Sequence, residues 1–309
     1  MAIPTTRTKE AGLISLITEK CDGCGLCVAV CSDQCLVLEN KKVQITTSSH
    51  FGCIGCGHCM AVCPGGAIEV TRREISPADI FPLPPPENDA TYDSLLSLLQ
   101  RRRSSRRFLD RTVNPAIISQ ILDAARSAPM GLPPSDVNVL VLDSREKNHA
   151  FAKDYCEFLK GMEWLVSGWF LALMRPFWGK TSDEMFRGFI RPLFRTYTSG
   201  MDEGVNNVTY DAPLAMYFYG SPYCDPADPI VAATYAMIAG ESLGLGSCML
   251  GAIHPMIQKG KKARQFREKH GIRYPSREGV FVIFGYTAIK YNKGIRRSFA
   301  SVGWNGNQV

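Results

Sequence analysis

Twelve cysteines stand in the 309-residue chain, and eight of them form a repeated pattern that could bind metal. The same spacing occurs at Cys21, Cys24, Cys27 and Cys31, and again 32 residues later at Cys53, Cys56, Cys59 and Cys63. In a reducing compartment, such a cluster of thiols indicates a metal site rather than a disulfide framework. The repeat therefore predicts two related metal centres near the start of the chain.

The spacing within each run narrows the kind of centre. Two residues separate the first three cysteines, three residues precede the fourth, and Pro64 follows the second run. This pattern resembles the two-cluster bacterial ferredoxin domain across residues 12–70. The resemblance implies two [4Fe–4S] clusters, each bound by three cysteines of one run and the last cysteine of the other. The implied ligand sets are Cys21, Cys24, Cys27 and Cys63 for one cluster, and Cys53, Cys56, Cys59 and Cys31 for the other.

Zinc is the alternative metal, because paired cysteines two residues apart also build zinc ribbons. A zinc site takes four ligands and leaves no role for the third cysteine of each run. The first run departs from the ferredoxin pattern at Ser32, where a proline usually follows the last ligand. Cys35 is expected to be a small buried hydrophobic residue rather than a ligand. For His58, between two ligands, a role near the cluster and simple exposure both stay open.

A proline-rich segment separates this region from the rest of the chain. Five prolines lie between Ser76 and Asp89. Proline fixes φ and removes a backbone donor, so the segment is predicted to be an extended, semi-rigid linker. We expect a first domain at residues 1–70, a linker at 71–90 and a second domain at 91–309.

The hydrophobic patterns of the second part alternate between helical and strand-like periods. This order predicts an α+β fold, a mixed sheet with surrounding helices, behind the ferredoxin-like domain. In the first domain, strands are expected at residues 36–38, 43–45 and 67–70. In the second domain, strands are expected at 137–142, 214–219 and 280–286, and helices at 92–100, from Asn114-Pro115 onward, at 230–243 and at 254–269.

The densest basic run extends from Arg101 to Phe108 and reads Arg-Arg-Arg-Ser-Ser-Arg-Arg-Phe. A solvated face or a nucleic-acid patch is the usual interpretation of such a run. However, no second basic stripe or interleaved aromatic platform follows it, as a groove for single strands would need. Serines among arginines suit a phosphate, which accepts from guanidinium forks and a hydroxyl together. We therefore predict a phosphate-bearing ligand and no nucleic acid.

Five segments, in order along the chain, resemble the FMN-dependent nitroreductase family. The basic run is similar to its R-R-S-x-R-x-F signature. The other four segments are Ala128-Pro129 with Gly131, Asp211-Ala212-Pro213, the glycine-rich turn at residues 243–249, and Phe284-Gly285-Tyr286 followed by Arg296-Arg297. The resemblance covers residues 91–309. It implies bound FMN and a homodimer with the flavin at the subunit interface.

The resemblance also implies which residues contact FMN. Arg102, Arg103, Ser104 and Arg106 would hold the phosphate, and Arg296 or Arg297 would approach it. The flavin N5 edge would face the backbone at Leu250 and Gly251, and no catalytic side chain is assigned. The match breaks in the loop of Pro129, Met130, Gly131 and Ser135, where an amide side chain of the family is missing. Ser135 or backbone groups would read the ring edge instead.

The two halves together predict an iron–sulfur flavoprotein oxidoreductase. Its clusters would pass electrons to FMN, which would reduce a small organic acceptor such as a nitroaromatic, a quinone or an activated alkene. An external electron-donor protein would fit this scheme. Two alternatives stay open: a relay that passes electrons to a protein partner, and a redox sensor.

Composition supports an ordinary folded protein, with 45% hydrophobic and 21% charged residues. The longest apolar stretch, Trp164 to Met174, is shorter than the roughly 20 residues of a membrane span. No charged-then-apolar leader is evident, so we expect a cytoplasmic protein. The aromatic-rich segment 161–200 has three candidate roles: core or subunit interface, a lid over the pocket, or adhesion to a membrane surface.

Overall fold

A computed structural model describes residues 2–46 and 48–304, together with the backbone of residues 307 and 308. The first part of the chain holds four strands and two short helices. They are β1 (Leu13–Leu16), α1 (Leu26–Ala29), β2 (Leu36–Glu39), β3 (Lys42–Ile45), α2 (His58–Val62) and β4 (Ile68–Thr71), with a 3-10 turn at Thr18–Lys20. β1 pairs with β4 and β2 pairs with β3, both antiparallel.

The sequence repeat of this part is also a structural repeat. Each short helix starts after a glycine in the left-handed region, Gly25 with φ 76° and Gly57 with φ 77°. A side chain is strained at such φ values, whereas glycine is not. Leu36 and Ile68, which occupy equivalent positions of the repeat, both begin strands and are both buried in one small core. The strands predicted near 36–38, 43–45 and 67–70 are confirmed, while β1 was not predicted.

The second part begins with helices α3 (Tyr92–Arg101) and α4 (Pro115–Arg126). Asn114 caps α4 by accepting a hydrogen bond from the amide of Ala116, as its sequence predicts. The elements that follow are β5 (Val137–Leu142), α5 (Arg145–Lys160), α6 (Gly168–Met185), α7 (Arg191–Asp202), β6 (Leu214–Gly220), α8 (Asp228–Ser242), β7 (Gly246–Leu250), α9 (Ile253–Met256), α10 (Lys261–Lys269) and β8 (Gly279–Gly285). A 3-10 turn at Glu163–Val166 precedes α6, a π-helical turn at Phe186–Ile190 joins α6 to α7, and the short strands β9 (Gly303–Trp304) and β10 (Asn307–Gln308) pair near the end.

Four of these strands form one antiparallel sheet in the order β5-β6-β8-β7. Every residue of the central strands β6 and β8 is buried. Because the side chains of a strand alternate between its two faces, both faces of the sheet are covered there. Leu214, Met216 and Phe218 pack with α4 and α8 on one face. Tyr217, Phe281 and Ile283 pack with α5, α7 and α10 on the other. The result is the predicted α+β arrangement, a sheet between two layers of helices, except that its four strands are all antiparallel and not mixed as expected.

Two elements differ from the sequence-based expectations. The helix predicted over residues 254–269 is two helices, α9 and α10, because Gly260 has φ 94° and interrupts the helix. The glycine-rich segment 243–249, expected as a turn, forms strand β7 from residue 246 onward, paired with β8. Its partner strand β8 is buried along its whole length, so tertiary pairing outweighs the local preference of the glycines for a turn.

The proline-rich segment between the two parts is exposed and contains two 3-10 turns, Pro77–Asp79 and Pro86–Asn88. It is otherwise without regular structure. Among the described residues, no helix has both the length and the apolar character needed to cross a lipid bilayer.

Candidate functional site

Two cavities in the first part of the chain are each lined by four of the repeated cysteines. Cys21, Cys24, Cys27 and Cys63 line one cavity, which we call the first site. Cys31, Cys53, Cys56 and Cys59 line the other, which we call the second site. Each site thus takes three thiols from one run and the last thiol from the other.

The surroundings of the thiols fit an iron–sulfur cluster. The amide of Cys35 donates to the Cys31 Sγ at 3.3 Å, and the amide of Ala67 donates to the Cys63 Sγ at 3.2 Å. Amide donors to sulfur stabilise bound clusters and tune their potential. Burial raises the pKa of the Cys59 thiol to about 12, so metal binding must displace its proton.

Zinc is the alternative metal for these cysteines, and the spacing of the two runs is what argues against it. A zinc site needs four ligands around one point, at about 2.0–2.3 Å from the metal. The thiols instead surround cavities, which suits a multinuclear group.

Cys35 and His58 are the two other residues of this region that the sequence singled out. Cys35 is buried beside the second site, and burial raises the pKa of its thiol to about 12. Its counterpart in the second half of the repeat is Ala67, equally buried, and both amides donate to a cysteine sulfur. Cys35 therefore fills an apolar position that alanine fills in the other half. His58 is exposed at the start of α2.

The basic run lies along the edge of the large sheet. Ser104 forms a parallel bridge with Ser247 of β7, and the Ser105 amide donates to the Ser247 carbonyl at 2.9 Å. Two glycines that face each other across β7 and β8 make room for the run. A Cβ on Gly246 would lie 2.5 Å from the Ser105 Oγ, and a Cβ on Gly285 would lie 2.6 Å from the Phe108 ring.

An arginine-lined cavity opens beside this run. Arg102, Arg103, Arg296 and Arg297 line a space of about 740 Å³, together with the end of α3. The Arg103 Nη1 donates to the carbonyls of Gln100 and Arg102, but its Nε is buried without a partner among the described residues. The Ser247 Oγ is buried without a partner as well. Buried polar atoms are normally paired, so the free Arg103 Nε fits a cavity that binds a phosphate-bearing ligand, while Ser247 lies next to the basic run and outside the residues that line the cavity.

The remaining predicted FMN residues do not line this cavity. Arg106 is exposed, and its guanidinium lies 5.9 Å from the ring centre of Tyr210. Ser104 is exposed next to Ser247. Leu250 is buried at the end of β7, and Gly251 follows it on the surface. Neither of these last two lines the arginine-lined cavity.

The loop after α4 lines a separate cavity. Pro129, Met130 and Ser135 contribute to a space of about 570 Å³ between α4, α8 and β5, with mostly apolar walls. The Gly131 amide, in the same loop, donates to the Asp228 carboxylate at 3.0 Å. Within one chain, this loop cavity and the arginine-lined cavity are distinct, so the structure does not bring all predicted FMN residues together.

Two side chains, one lining the loop cavity and one beside the basic run, were missed by the sequence analysis. Arg7 lines the loop cavity and donates to the Ser135 carbonyl at 2.8 Å. No motif marks it, because an isolated arginine near an N-terminus carries no pattern. Ser247 lies in the glycine-rich segment already singled out, but its hydroxyl could be recognised only once β7 was seen against the basic run.

The aromatic-rich segment is largely on the surface of the single chain. It forms α6, the π-helical turn and α7, and α6 is broken at Gly179, whose φ is 72°. Phe194 and Tyr197 of α7 reach the core, but Trp164, Trp169 and Phe177 are exposed. Four of the nine aromatic residues in segment 161–200 are exposed and two are buried, so a core position does not describe the whole segment, and the interface, lid and membrane-surface roles stay open.

Comparisons with known proteins agree with both halves. Residues 99–286 match a family model described as nitroreductase family, and residues 20–67 match one described as a 4Fe-4S dicluster domain. Comparison with curated proteins gave no match.

Solved structures similar to the chain include two nitroreductases with bound FMN. One is from Desulfitobacterium hafniense DCB-2, with 19% identity and a TM-score of 0.47, and the match covers 66% of this chain and 94% of that chain. The other is from Bacteroides fragilis NCTC 9343, with 17% identity and a TM-score of 0.47, covering 68% and 98%. An FMN-dependent nitroreductase from Clostridium difficile R20291 is 19% identical, with a TM-score of 0.43 and coverage of 68% and 98%.

Proposed function

The chain belongs to the nitroreductase family and carries a 4Fe-4S dicluster domain, and from this we propose that it is an iron–sulfur flavoprotein that reduces a small organic acceptor. The observation that carries the proposal is the presence, in one chain, of two four-thiol sites and an arginine-lined cavity in which the buried Arg103 Nε has no partner among the described residues. The proposed acceptors are a nitroaromatic, a quinone or an activated alkene.

Each proposed cofactor has residues to hold it. The first and second sites each supply four thiolates for a [4Fe–4S] cluster. Arg102, Arg103 and one of the C-terminal pair, Arg296 or Arg297, would bind the FMN phosphate, with the Ser104 and Ser247 hydroxyls beside it. When bound, the clusters would carry single electrons, and FMN would store two electrons with protons from water; an external electron-donor protein that supplies these two electrons one at a time fits this scheme.

The residues of this chain would position the flavin and place positive charge beside it. Positive charge at Arg102 and Arg103 favours a phosphate and an anionic reduced flavin. Burial raises the pKa of Glu241, and the pull of Arg101, Arg102 and Arg103 acts against that rise, so this carboxyl lies within reach of the same field. The backbone at Leu250 and Gly251, where β7 ends, is proposed to face the N5 edge.

A homodimer would complete the flavin site. The loop of Pro129, Met130, Gly131 and Ser135 and the arginine-lined cavity are separate within one chain. We infer that the loop of one copy meets the arginines of the other, so that flavin binds between subunits. Exposed apolar residues that a second copy could cover include Ile295, Phe299 and Trp304.

The test is to prepare the protein anaerobically, to measure its iron and FMN content, and to follow its reaction with acceptors by stopped-flow mixing. Two clusters and one flavin require about eight irons and one FMN per chain. Reduced protein is then mixed with a nitroaromatic, a quinone or an enone. Rapid flavin oxidation with stoichiometric product supports the proposal. Flavin that is oxidised only by a protein acceptor would favour the relay, and an unreactive flavin would favour the sensor.

A further inference from the structure

Arg73 is a buried arginine without an acidic hydrogen-bond partner. Only 3% of the residue is exposed, and its guanidinium donates to four backbone carbonyls. These are the carbonyls of Ile54 at 2.8 Å, Glu10 at 2.8 Å, Ile3 at 3.1 Å and Pro133 at 2.7 Å. Ile54 lies between Cys53 and Cys56, and Pro133 lies in the loop cavity segment of the second domain. The Arg73 side chain thus connects the loop between Cys53 and Cys56 to the loop that contains Pro133.

The sequence repeat provides an internal comparison for Arg73. Its counterpart in the first half of the repeat is Lys41, and both residues have positive φ, 49° and 59°. Each lies against the equivalent glycine of a cysteine loop, Arg73 against Gly55 and Lys41 against Gly23. Lys41 is exposed, whereas Arg73 is buried. The two sites therefore have similar loops but differ in one desolvated positive charge.

The joint between the two parts of the chain lies beside the second site. Among the described residues, every hydrogen bond from residues 2–90 to the second part ends within residues 133–136. The Thr6 amide and hydroxyl donate to the Asp136 carboxylate, Arg7 donates to the Ser135 carbonyl, and Arg73 donates to the Pro133 carbonyl. No such bond comes from the loop of Cys21, Cys24 and Cys27.

A buried charge acts more strongly on its neighbours than an exposed one, because low polarity weakens screening. Burial lowers the pKa of Arg73, while Cys53 and Asp136 act in the opposite direction, so both lie within its field. Arginine stays protonated in proteins. A fixed positive charge stabilises the more negative, reduced form of a cluster and so raises its potential.

We propose that Arg73 makes the second site the exit for electrons, by fixing its loop against residues 133–136 and by placing a desolvated positive charge beside it. Electrons would enter at the first site and leave one at a time from the second site to the nitroreductase domain. Two such transfers, with protons from water, reduce one FMN. The inference rests on the proposed function, but its electrostatic part concerns the clusters alone.

The first experiment measures cluster potentials without any flavin reaction. Cys24→Ala removes a ligand of the first site and Cys56→Ala one of the second, so each variant retains one complete ligand set. In the Cys24→Ala protein, Arg73→Gln should lower the potential of the remaining cluster. In the Cys56→Ala protein, the same change should leave the potential almost unmoved. Lys41→Gln is the matched control and should shift neither cluster comparably. Equal shifts in both proteins, or none, would overturn the electrostatic role.

Arg73→Lys separates charge from geometry. Lysine retains the charge but cannot serve four carbonyls, so the potential should stay near that of the Arg73 protein. Hydrogen exchange of the amides in residues 129–136 should become faster. This variant also decides the matter if Arg73→Gln fails to assemble its cluster. A potential in the lysine variant that falls well below that of the Arg73 protein would contradict the role of charge.

The second experiment leaves Arg73 in place. Dithionite supplies single electrons anaerobically, and flavin reduction is followed in the Cys24→Ala and Cys56→Ala proteins. The double variant gives the rate of direct reduction for subtraction. We expect flavin reduction to be at least tenfold slower in Cys56→Ala than in Cys24→Ala. Equal rates would overturn the exit assignment. Clusters that never reduce flavin in the unmodified protein would refute the proposed function instead, and leave the potential measurements valid.

Discussion

Ser247, which pairs with Ser104 of the basic run, offers a test of whether that run binds FMN. Its hydroxyl is fully buried and has no partner among the described residues. A buried unsatisfied polar group costs about 1–3 kcal/mol. Ser247→Ala should therefore leave the flavin-free protein equally stable or more stable, because the cost disappears. If the hydroxyl donates to bound FMN, the same change should weaken flavin binding about tenfold, or roughly 1.4 kcal/mol.

The measurement is a fluorescence titration of FMN together with thermal unfolding of the flavin-free protein. Ser242→Ala is a suitable control, since that hydroxyl is exposed and donates to the Ala239 carbonyl within α8. Unchanged flavin affinity in Ser247→Ala would remove this hydroxyl from the proposed site.

His254 makes stability depend on pH. Its Nδ1 lies 2.9 Å from the Tyr217 hydroxyl and 3.2 Å from the Gln258 Nε2, in a buried position. Burial lowers the pKa of His254 below its ordinary value of 6.5. Just below pH 6.5, the unfolded chain therefore binds a proton at His254, whereas the folded chain does not. The contribution of neutral His254 to the free energy of unfolding is complete above pH 6.5 and decreases as the pH falls below that value.

We expect His254→Gln to flatten this decrease by up to about 1.4 kcal/mol per pH unit. Burial lowers the pKa of His270 in the same direction, so part of the slope should remain. Urea unfolding at several pH values between 5 and 8 gives the slope for both proteins. Between pH 7 and 8 the two slopes should coincide. An identical decrease below pH 6.5 would show that His254 does not contribute.

At the scale of elements, strand β7 and the basic run form one unit. The run lies against β7 only because Gly246 has no side chain, and a Cβ there would lie 2.5 Å from the Ser105 Oγ. Gly246→Ala should displace Ser104 and Ser105 and weaken FMN binding more than tenfold. It should also destabilise the protein by about 1–3 kcal/mol through overpacking.

Gly188→Ala is the matched control for that change, since its Cβ would meet open space in the π-helical turn. It should leave flavin binding intact and not lower stability, because alanine favours helix more than glycine does. Flavin titration and thermal unfolding of both variants provide the comparison. Normal flavin binding in Gly246→Ala would mean that the run is not positioned by β7.

The elements differ in how far the sequence could predict them. Strands β6 and β8 are continuous apolar runs, so their pattern alone predicts buried strands. Strand β7 carries glycine and serine, and only its pairing with β8 makes it a strand. Asn114-Pro115 marks the start of α4 through capping chemistry, whereas Gly260 within the run 254–269 could equally end a helix or sit inside one.

The cysteine sites were accessible to sequence reasoning because ligand spacing is local chemistry. The Arg73 contacts were not, since they join residues far apart in the chain through backbone carbonyls that carry no sequence signal. The repeat pairs Arg73 with Lys41, but both are basic, and only burial distinguishes them.

At the scale of the whole molecule, the linker and the joint have separate roles. Residues 77–90 of the linker are exposed, and their hydrogen bonds are local. The joint consists of Thr6, Arg7 and Arg73 against residues 133–136, with Asp136 only 5% exposed. Orientation of the dicluster domain should therefore depend on the joint, while the linker supplies a high effective concentration.

Cutting the linker tests this division of roles. A protease site inserted between residues 83 and 84 lies in exposed chain, so cleavage should leave both parts folded. We expect the two fragments to elute together from a size-exclusion column at micromolar concentration, because the joint survives. Asp136→Ala removes the acceptor of both Thr6 bonds and should make the cleaved fragments separate. Glu184→Gln, which affects only an exposed ion pair with Lys180, should not. If the unmodified fragments separated as soon as the linker was cut, the tether and not the joint would hold the clusters beside the nitroreductase domain.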